Sequence, residues 1–130
     1  MSLQVQIVTP ARIAWAGEIS EAQVPGLLGE FGAMPDHAAM LAATRAGVDT
    51  LHSAAGNQRL VIGAGFAEVG PGELTLLVDS CEEASAVDKV AAQLALTAAE
   101  GALVAAADVG TEGWKQAQAA IELATARLEA

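Results

Sequence analysis

Basic and aromatic residues are scarce in this chain of 130 residues. Six Lys and Arg stand against 16 Asp and Glu, so the formal net charge at neutral pH is −10, and aromatic residues make up 3%. Nucleic acids and anionic lipid surfaces are bound by clustered basic side chains, which six scattered cations cannot supply. The composition therefore argues against nucleic-acid or membrane-surface binding and favours a neutral or basic protein partner.

Cysteine and histidine are equally rare, which limits metal and nucleophilic chemistry. The single Cys81 cannot form an internal disulfide, and a zinc site needs three or four ligands at suitable spacing, which His37 and His52 do not provide. Glu82 and Glu83 follow Cys81 and should raise the pKa of its thiol, which disfavours a catalytic cysteine. The sequence predicts no metal, cofactor or catalytic residue, although a Ser-His-Asp arrangement stays open on the residues alone.

Long hydrophobic runs are also missing. No apolar stretch approaches the ~20 residues that cross a bilayer. Met1 and Ser2 lead directly into the alternating pattern of residues 3–8, without the basic start of a secretory leader. We therefore expect a soluble protein with no direct membrane insertion, which stays in the compartment where it is made.

Residues 1–83 have the pattern of many short strands. Runs of Val, Ile and Leu are separated at close spacing by turn residues such as Pro25-Gly26, which is typical of an antiparallel sandwich or barrel. The clearest hairpin joins residues 66–69 to residues 74–78 across residues 70–73. Its two arms are so close in sequence that they must be antiparallel neighbours.

Residues 84–130 are dominated by Ala and have helical spacing. Ser85 is predicted as the N-cap of a first helix, in a capping box with Asp88. Gly110 suits the left-handed position after a helix end, and Thr111 can cap a second helix. Two antiparallel helices with a short connection form a helical hairpin.

Apolar residues on both helices are predicted to hold this hairpin together. In the second helix they recur at steps of three and four and form a narrow seam. The predicted packing residues are Val87, Val90, Leu94, Trp114, Ile121 and Leu128. A hairpin that only adds stability, with no role of its own, stays an alternative.

A glycine-rich segment at residues 60–68 is similar to the start of a dinucleotide-binding turn. That turn needs a third small residue three positions after Gly65, where this chain has Glu68. Only eight residues separate Gly65 from the next strand at Leu74, too few for a crossover helix. A glycine-rich strand end or bulge is favoured, and a small nucleotide-dependent enzyme has little support.

The most informative segment is the loop region at residues 24–41. Several glycines and prolines restrict its backbone, and apolar side chains such as Phe31 and Met34 lie between them. On the residues alone, a contact loop and a plain connection are both open.

This segment resembles the epsilon subunit of F-type ATP synthases, which is called delta in mitochondria. The likeness covers the whole chain in order, including the late change to an Ala-rich hairpin. The matching motifs are Val8-Thr9-Pro10, Trp15-Ala16-Gly17-Glu18, Val24-Pro25-Gly26, Gly29-Glu30-Phe31-Gly32, Pro35-Asp36-His37-Ala38 and Gly63-Ala64-Gly65-Phe66-Ala67-Glu68-Val69.

The resemblance implies a fold and a function. The fold is an N-terminal sandwich of two antiparallel sheets (1–83) followed by a C-terminal antiparallel helical hairpin (84–130). The function is that of a non-catalytic rotor subunit of a proton-translocating ATP synthase, whose sandwich holds the gamma subunit and sits on the membrane c-ring. The residues that correspond to the ring-facing loop are Glu30, Phe31, Gly32, Met34 and His37.

The implied location is peripheral, at the cytoplasmic face of a bacterial inner membrane. The lack of a transit peptide and the abundance of Ala and Gly favour a bacterial origin. A plastid-encoded member, which would also lack a transit peptide, stays an alternative. The alternative to a rotor subunit is a free-standing β-sandwich protein-binding module with a helical tail.

Two departures from the family bear on regulation. Some bacterial members bind ATP through Ile/Leu-Asp-x-x-Arg-Ala, of which Asp88 is retained here while Ala91 replaces the arginine. The loss of the planar guanidinium removes a bidentate phosphate partner, so no nucleotide binding is expected. The family hairpin can also extend along gamma and block rotation, with basic residues that meet an acidic segment of beta. From Cys81 onward this chain has three basic and eight acidic residues, which predicts a weak inhibitor and leaves a contact with beta open.

Overall fold

Ten strands and two helices make up the chain, in a computed structural model that describes residues 2–106 and 108–130. The strands are β1 (Leu3–Val8), β2 (Ile13–Ile19), β3 (Glu21–Gly26), β4 (Gly29–Ala33), β5 (Met40–Thr44), β6 (Gly47–Ser53), β7 (Gly56–Ile62), β8 (Gly65–Gly70), β9 (Glu73–Val78) and β10 (Cys81–Glu83). After a 3₁₀ turn at Ala84–Ala86 come α1 (Lys89–Ala105) and α2 (Glu112–Glu129).

The strands form the predicted sandwich. One half has the order β4-β3-β6-β7-β10 and the other β5-β8-β9-β1-β2, joined where Gly26 pairs with Thr44. The Trp15 indole on β2 donates a hydrogen bond of 3.1 Å to Gln58 on β7 and so links the two halves. Both halves contribute side chains to one hydrophobic core.

Period-two alternation explains which side chains enter the core. In β1, Leu3, Val5 and Ile7 are buried, whereas Gln4 and Gln6 are exposed. Successive side chains of a strand point to opposite faces, so the apolar set faces inward and the polar set faces solvent. This pattern was visible in the sequence.

The pairing of β1 with β9 corrects the expectation of purely antiparallel sheets. Residues Gln4–Val8 pair in parallel with Glu73–Leu77. Short connections force only sequence neighbours to be antiparallel. The first strand lies between β2 and a strand distant in the chain, so local spacing could not determine its direction.

The glycine-rich segment is a strand end, as predicted. β7 and β8 are joined directly by Gly63 and Ala64, and β8 begins at Gly65. β8 then pairs with β9 as the predicted antiparallel hairpin. The geometry of a dinucleotide-binding turn, which needs a helix after the glycines, does not occur there.

The helix caps were predicted in part. The N-cap of α1 is Asp88, whose carboxylate accepts a hydrogen bond of 3.1 Å from the Ala91 N–H. The prediction of Ser85 was wrong, because the chain makes a 3₁₀ turn there before the helix begins. The cap at Thr111 is confirmed, and Gly110 has the expected left-handed φ of 87°, although α1 already ends at Ala105.

Alanines build the seam of the hairpin, which corrects part of the predicted packing. α2 packs against α1 and against β6 and β7. Val90 and Leu94 are 71% and 67% exposed, so their assignment to the seam was wrong. In an Ala-rich helix the seam follows the smallest side chains, which let two axes approach closely. The buried helix residues are Ala92, Ala99, Ala117, Ala124 and Ala126; Val87, Trp114, Ile121 and Leu128 are half-buried.

Candidate interaction surfaces

One apolar row crosses the outer face of the β5-β8-β9-β1-β2 half. The strand register makes Ala43, Phe66, Leu77, Val8 and Ile13 successive cross-strand neighbours. We call these five residues the apolar row. Because cross-strand partners lie on the same face of a sheet, their side chains form a continuous strip over five strands.

The apolar row is accessible to a partner. Phe66 is 53% exposed, Leu77 48% and Ile13 56%, while Val8 and Ala43 are half-buried. Isolated apolar side chains are common on protein surfaces, but contiguous apolar patches mark interaction sites. The row therefore has the properties of a protein-binding surface.

A turn with two leucines extends this surface at one end. The N–H of Leu27 donates a hydrogen bond of 2.8 Å to the carbonyl of Ala43, which places the β3–β4 turn next to the apolar row. Leu27 is 61% exposed and Leu28 is completely exposed. Sequence reasoning missed both residues, although leucines at a tight turn, where polar residues are usual, were a visible signal.

Acidic side chains lie beside the row on the same sheet face. Leu41 and Glu68 are neighbours in the next row of the register, and Glu73, Gln4 and Glu18 lie farther along the strands. The face therefore changes from apolar at one end to acidic at the other. A complementary partner would carry an apolar strip with a basic border.

The residues predicted for ring contact lie along an edge strand and the loop after it. β4 pairs only with β3 among the described strands. Glu30 is exposed on this strand, whereas Phe31 is partly buried and packs on the core. Gly32 is half-buried in β4. Met34 is 48% exposed beyond the end of the strand.

The structure brings only some of these residues together. The half-buried rings of His37 and Phe31 lie 6.5 Å apart and are tilted by 48°. Phe31 therefore packs against the loop after β4 and is only partly accessible to a partner. Glu30 instead borders a groove of about 420 Å³ between β3, β6 and α2. The groove is also lined by Arg45 and Arg59, beside Glu122 and Glu129.

The sandwich contains one buried carboxyl group, on β6, among the described residues. Asp49 on β6 is 0% exposed, and neither of its carboxylate oxygens has a hydrogen-bond partner among the described residues. Burial, and secondarily the negative charge of Glu30, raise the pKa of Asp49 from 3.8 to about 7. Sequence reasoning missed this residue, because one Asp in an alternating strand carries no signal of its burial.

Comparison with known proteins decides the family. Residues 2–84 match the family model of the ATP synthase delta/epsilon chain β-sandwich domain. This chain belongs to that family. The epsilon chain of Synechocystis sp. is 35% identical over 79% of this chain and 76% of its own length, and that of Rippkaea orientalis is 35% identical over 100% and 96%.

The same fold is also found in a solved structure. A chain of the cryo-EM structure of Euglena gracilis mitochondrial ATP synthase superposes with a TM-score of 0.81, at 17% identity, over 98% of this chain and 79% of that chain. Epsilon chains are structural subunits of the rotary enzyme and not catalytic ones, and this chain is an epsilon-type subunit. Neither helix, within the residues described, has the length and hydropathy to cross a bilayer.

Asp88 and Cys81 each have a local structural explanation. Asp88 caps α1 through the N–H of Ala91, and this capping role needs no nucleotide.

The thiol of Cys81 is half-buried, and burial is the first cause that raises its pKa, followed by the charge of Asp49. A raised pKa lowers the reactive thiolate fraction.

Proposed function

We propose that this epsilon-type chain couples the gamma subunit of a proton-translocating ATP synthase to the membrane c-ring, as a peripheral subunit at the cytoplasmic face of a bacterial inner membrane. The apolar row is the observation that carries the proposal. A stalk subunit needs one permanent protein contact, and a strip with Phe66, Leu77 and Ile13 half-exposed is suited to one. The acidic end of the same face favours a gamma surface with a basic border.

Replacement of Phe66 with Glu should disrupt the gamma contact. Phe66 lies on β8, between Ala43 on β5 and Leu77 on β9. A glutamate there would place a charge without a partner inside the interface, which is costly. We expect the Kd for isolated gamma, measured by titration calorimetry, to rise by at least about tenfold.

The matched control is Val104→Glu. Val104 is also an exposed apolar residue, at 86%, but it lies on α1. Its replacement should leave the Kd for gamma unchanged. Equal affinity of the Phe66→Glu variant and the wild type would contradict the assignment of the apolar row.

The c-ring contact is proposed for β4 and the loop that follows it. Glu30 and Met34 are the exposed members of the predicted set, and Leu28 lies at the turn before β4. An edge strand leaves backbone groups unpaired on one side, which suits contact with polar loops of a ring. The other predicted residues are half-buried and support this surface by packing beneath it; they are Phe31, Gly32 and His37.

Glu30→Lys should weaken coupling and leave the chemistry intact. The charge reversal acts on an exposed side chain of a non-catalytic subunit, so ATP hydrolysis by soluble F1 should not change. ATP-driven proton pumping in reconstituted membranes should fall severalfold. Glu100→Lys, an equal charge reversal at an exposed position of α1, is the control; normal pumping by the Glu30→Lys enzyme would contradict the proposal.

The hairpin is proposed to stay docked on the sandwich and to inhibit hydrolysis weakly. α2 packs against β6 and β7, and Ala124 and Ala126 are 3% and 2% exposed. Release of the hairpin from the sandwich would expose the side chains of α2 that pack on β6 and β7 to water, at a cost in free energy. The excess of acidic residues after Cys81 further disfavours contact with an acidic segment of beta.

A further inference from the structure

Half of the chain's basic residues gather at the C-terminal end of α2. The Lys89 ammonium donates hydrogen bonds of 2.9 Å to the carbonyls of Arg127 and Leu128, and another to the carbonyl of Ala130. The Arg127 guanidinium lies 2.6 Å from the Glu82 carboxylate on β10. Arg59 of β7 approaches the Glu129 carbonyl at 3.5 Å. In a chain with six basic residues and a net charge of −10, three cations around one helix end are a marked concentration.

The position of Lys89 is unfavourable for its own helix. It is the first residue of α1, which has no acidic residue in its first turn, and a cation at a helix N-terminus opposes the helix dipole. The same ammonium is favourable at the end of α2, where the last carbonyls lack partners within the helix. Lys89 is unfavourable for the helix that contains it and favourable for the contact between the two helices. Such a conflict indicates that the contact between the helices contributes to the stability of the fold.

These contacts connect three parts of the molecule. Lys89 joins the start of α1 to the end of α2, and Arg127 joins the end of α2 to β10. The side chains of Arg127 and Glu82 are only 25% and 35% exposed, so solvent screens their attraction less than that of an open surface pair.

We propose that Lys89 and Arg127 form a clasp that holds the last turn of α2 closed, and that opening of the hairpin begins by breaking it. The proposal rests on the proposed function in one respect: a docked hairpin is the weakly inhibitory state. The restraint on the hairpin is then supplied by side chains of this chain alone.

The test is hydrogen exchange, followed by mass spectrometry, on the full-length chain. Lys89→Met keeps the aliphatic stem and removes the charge. We expect amides of residues 121–129 to lose about tenfold in protection, the effect of losing charge-assisted hydrogen bonds. Lys115→Met removes an exposed cation from the start of α2 and should change protection by less than about twofold. Unchanged protection in the Lys89→Met variant would overturn the clasp.

A charge exchange separates the clasp from general destabilisation. Glu82→Arg and Arg127→Glu should each lower protection at the end of α2, and the double variant should recover most of it, as expected for residues in direct contact. Lys89→Arg should retain most of the wild-type protection. If the exchange variant is no better protected than the single variants, Arg127 is not part of the clasp.

ATP hydrolysis by reconstituted F1 tests the regulatory role separately. If the docked hairpin is the weakly inhibitory state, Lys89→Met should increase inhibition, and deletion of residues after Ser85 from the wild type should activate hydrolysis only slightly. Faster exchange with unchanged inhibition would support the clasp and overturn its regulatory role. Strong activation on deletion would overturn the weak-inhibitor proposal and leave the exchange result to decide the clasp.

Discussion

Asp49→Asn should leave the free energy of unfolding unchanged below about pH 4 and raise it by about 4 kcal/mol above pH 7. The wild-type carboxyl lies in the sandwich core without a hydrogen-bond partner among the described residues, and its pKa is about 7. Each unit of pKa difference between folded and unfolded states corresponds to about 1.4 kcal/mol. The neutral amide has the same shape and cannot ionise.

The sign follows from proton binding. Burial raises the pKa of folded Asp49 above its value of 3.8 in the unfolded chain, so between these two values the folded state holds a proton that the unfolded state has lost. Stability of the wild type therefore decreases as pH rises from about 4 to about 7 and is constant above that range with respect to this residue. This is opposite to the usual paired carboxylate, whose contribution is lost in acid.

Urea unfolding at a series of pH values from 4 to 8 measures the difference between the variant and the wild type. Other acidic residues titrate in the same range, so the quantity to compare is the difference at each pH. Asp79→Asn, a change at an exposed position, is the control for the replacement of Asp with Asn itself. A parallel pair of curves for Asp49→Asn and the wild type would show that the carboxyl is solvated in the folded state.

The sandwich could be predicted largely from alternation and turns. Leu3, Val5 and Ile7 against Gln4 and Gln6 indicated both the strand and its buried face. The β8–β9 hairpin followed from the short spacing of its arms. The parallel pairing of β1 with β9 could not be predicted, because it depends on the closure of the whole sheet and on no local signal.

In the helices, the spacing of apolar residues did not predict which side chains are buried. Outside the polar stripe of Lys89, Gln93, Thr97 and Glu100, α1 is covered mostly by Ala, Val and Leu. Hydrophobicity therefore could not tell the exposed Val90 and Leu94 from the buried Ala92 and Ala99. Size, and not hydrophobicity, selects the seam when two helices pack closely. The first cap failed for a related reason, since Ser85 and Asp88 are both good caps and only the path of the 3₁₀ turn decides between them.

The contact surfaces were only partly visible in the sequence. The loop motif drew attention to Glu30 and Met34, which are exposed, and also to Phe31, which mainly packs on the core. The apolar row could not be found, because its five members come from five strands and become neighbours only through the register. The partly buried Glu82 on β10, which pairs with Arg127 of α2, was equally invisible.

Gly65→Ala should destabilise the sandwich by about 3 kcal/mol or more. A Cβ at this position would lie 1.9 Å from the Leu77 carbonyl oxygen and 2.8 Å from the Val78 Cα. Both are backbone atoms of the neighbouring strand, so no side-chain rotation can relieve the overlap, and β8 would have to move away from β9. The glycine that suggested a nucleotide-binding turn is therefore required for close approach of two strands.

Gly70→Ala is the matched control, because Gly70 lies at the other end of β8 and a Cβ there meets nothing within 4 Å. It should change the free energy of unfolding by no more than about 0.5 kcal/mol. Because β8 carries Phe66 next to Gly65, Gly65→Ala should also weaken gamma binding, whereas Gly70→Ala should not. Urea unfolding and gamma titration of both variants measure the two effects; equal stability of the Gly65→Ala and Gly70→Ala proteins would show that the β8–β9 pair can separate without cost.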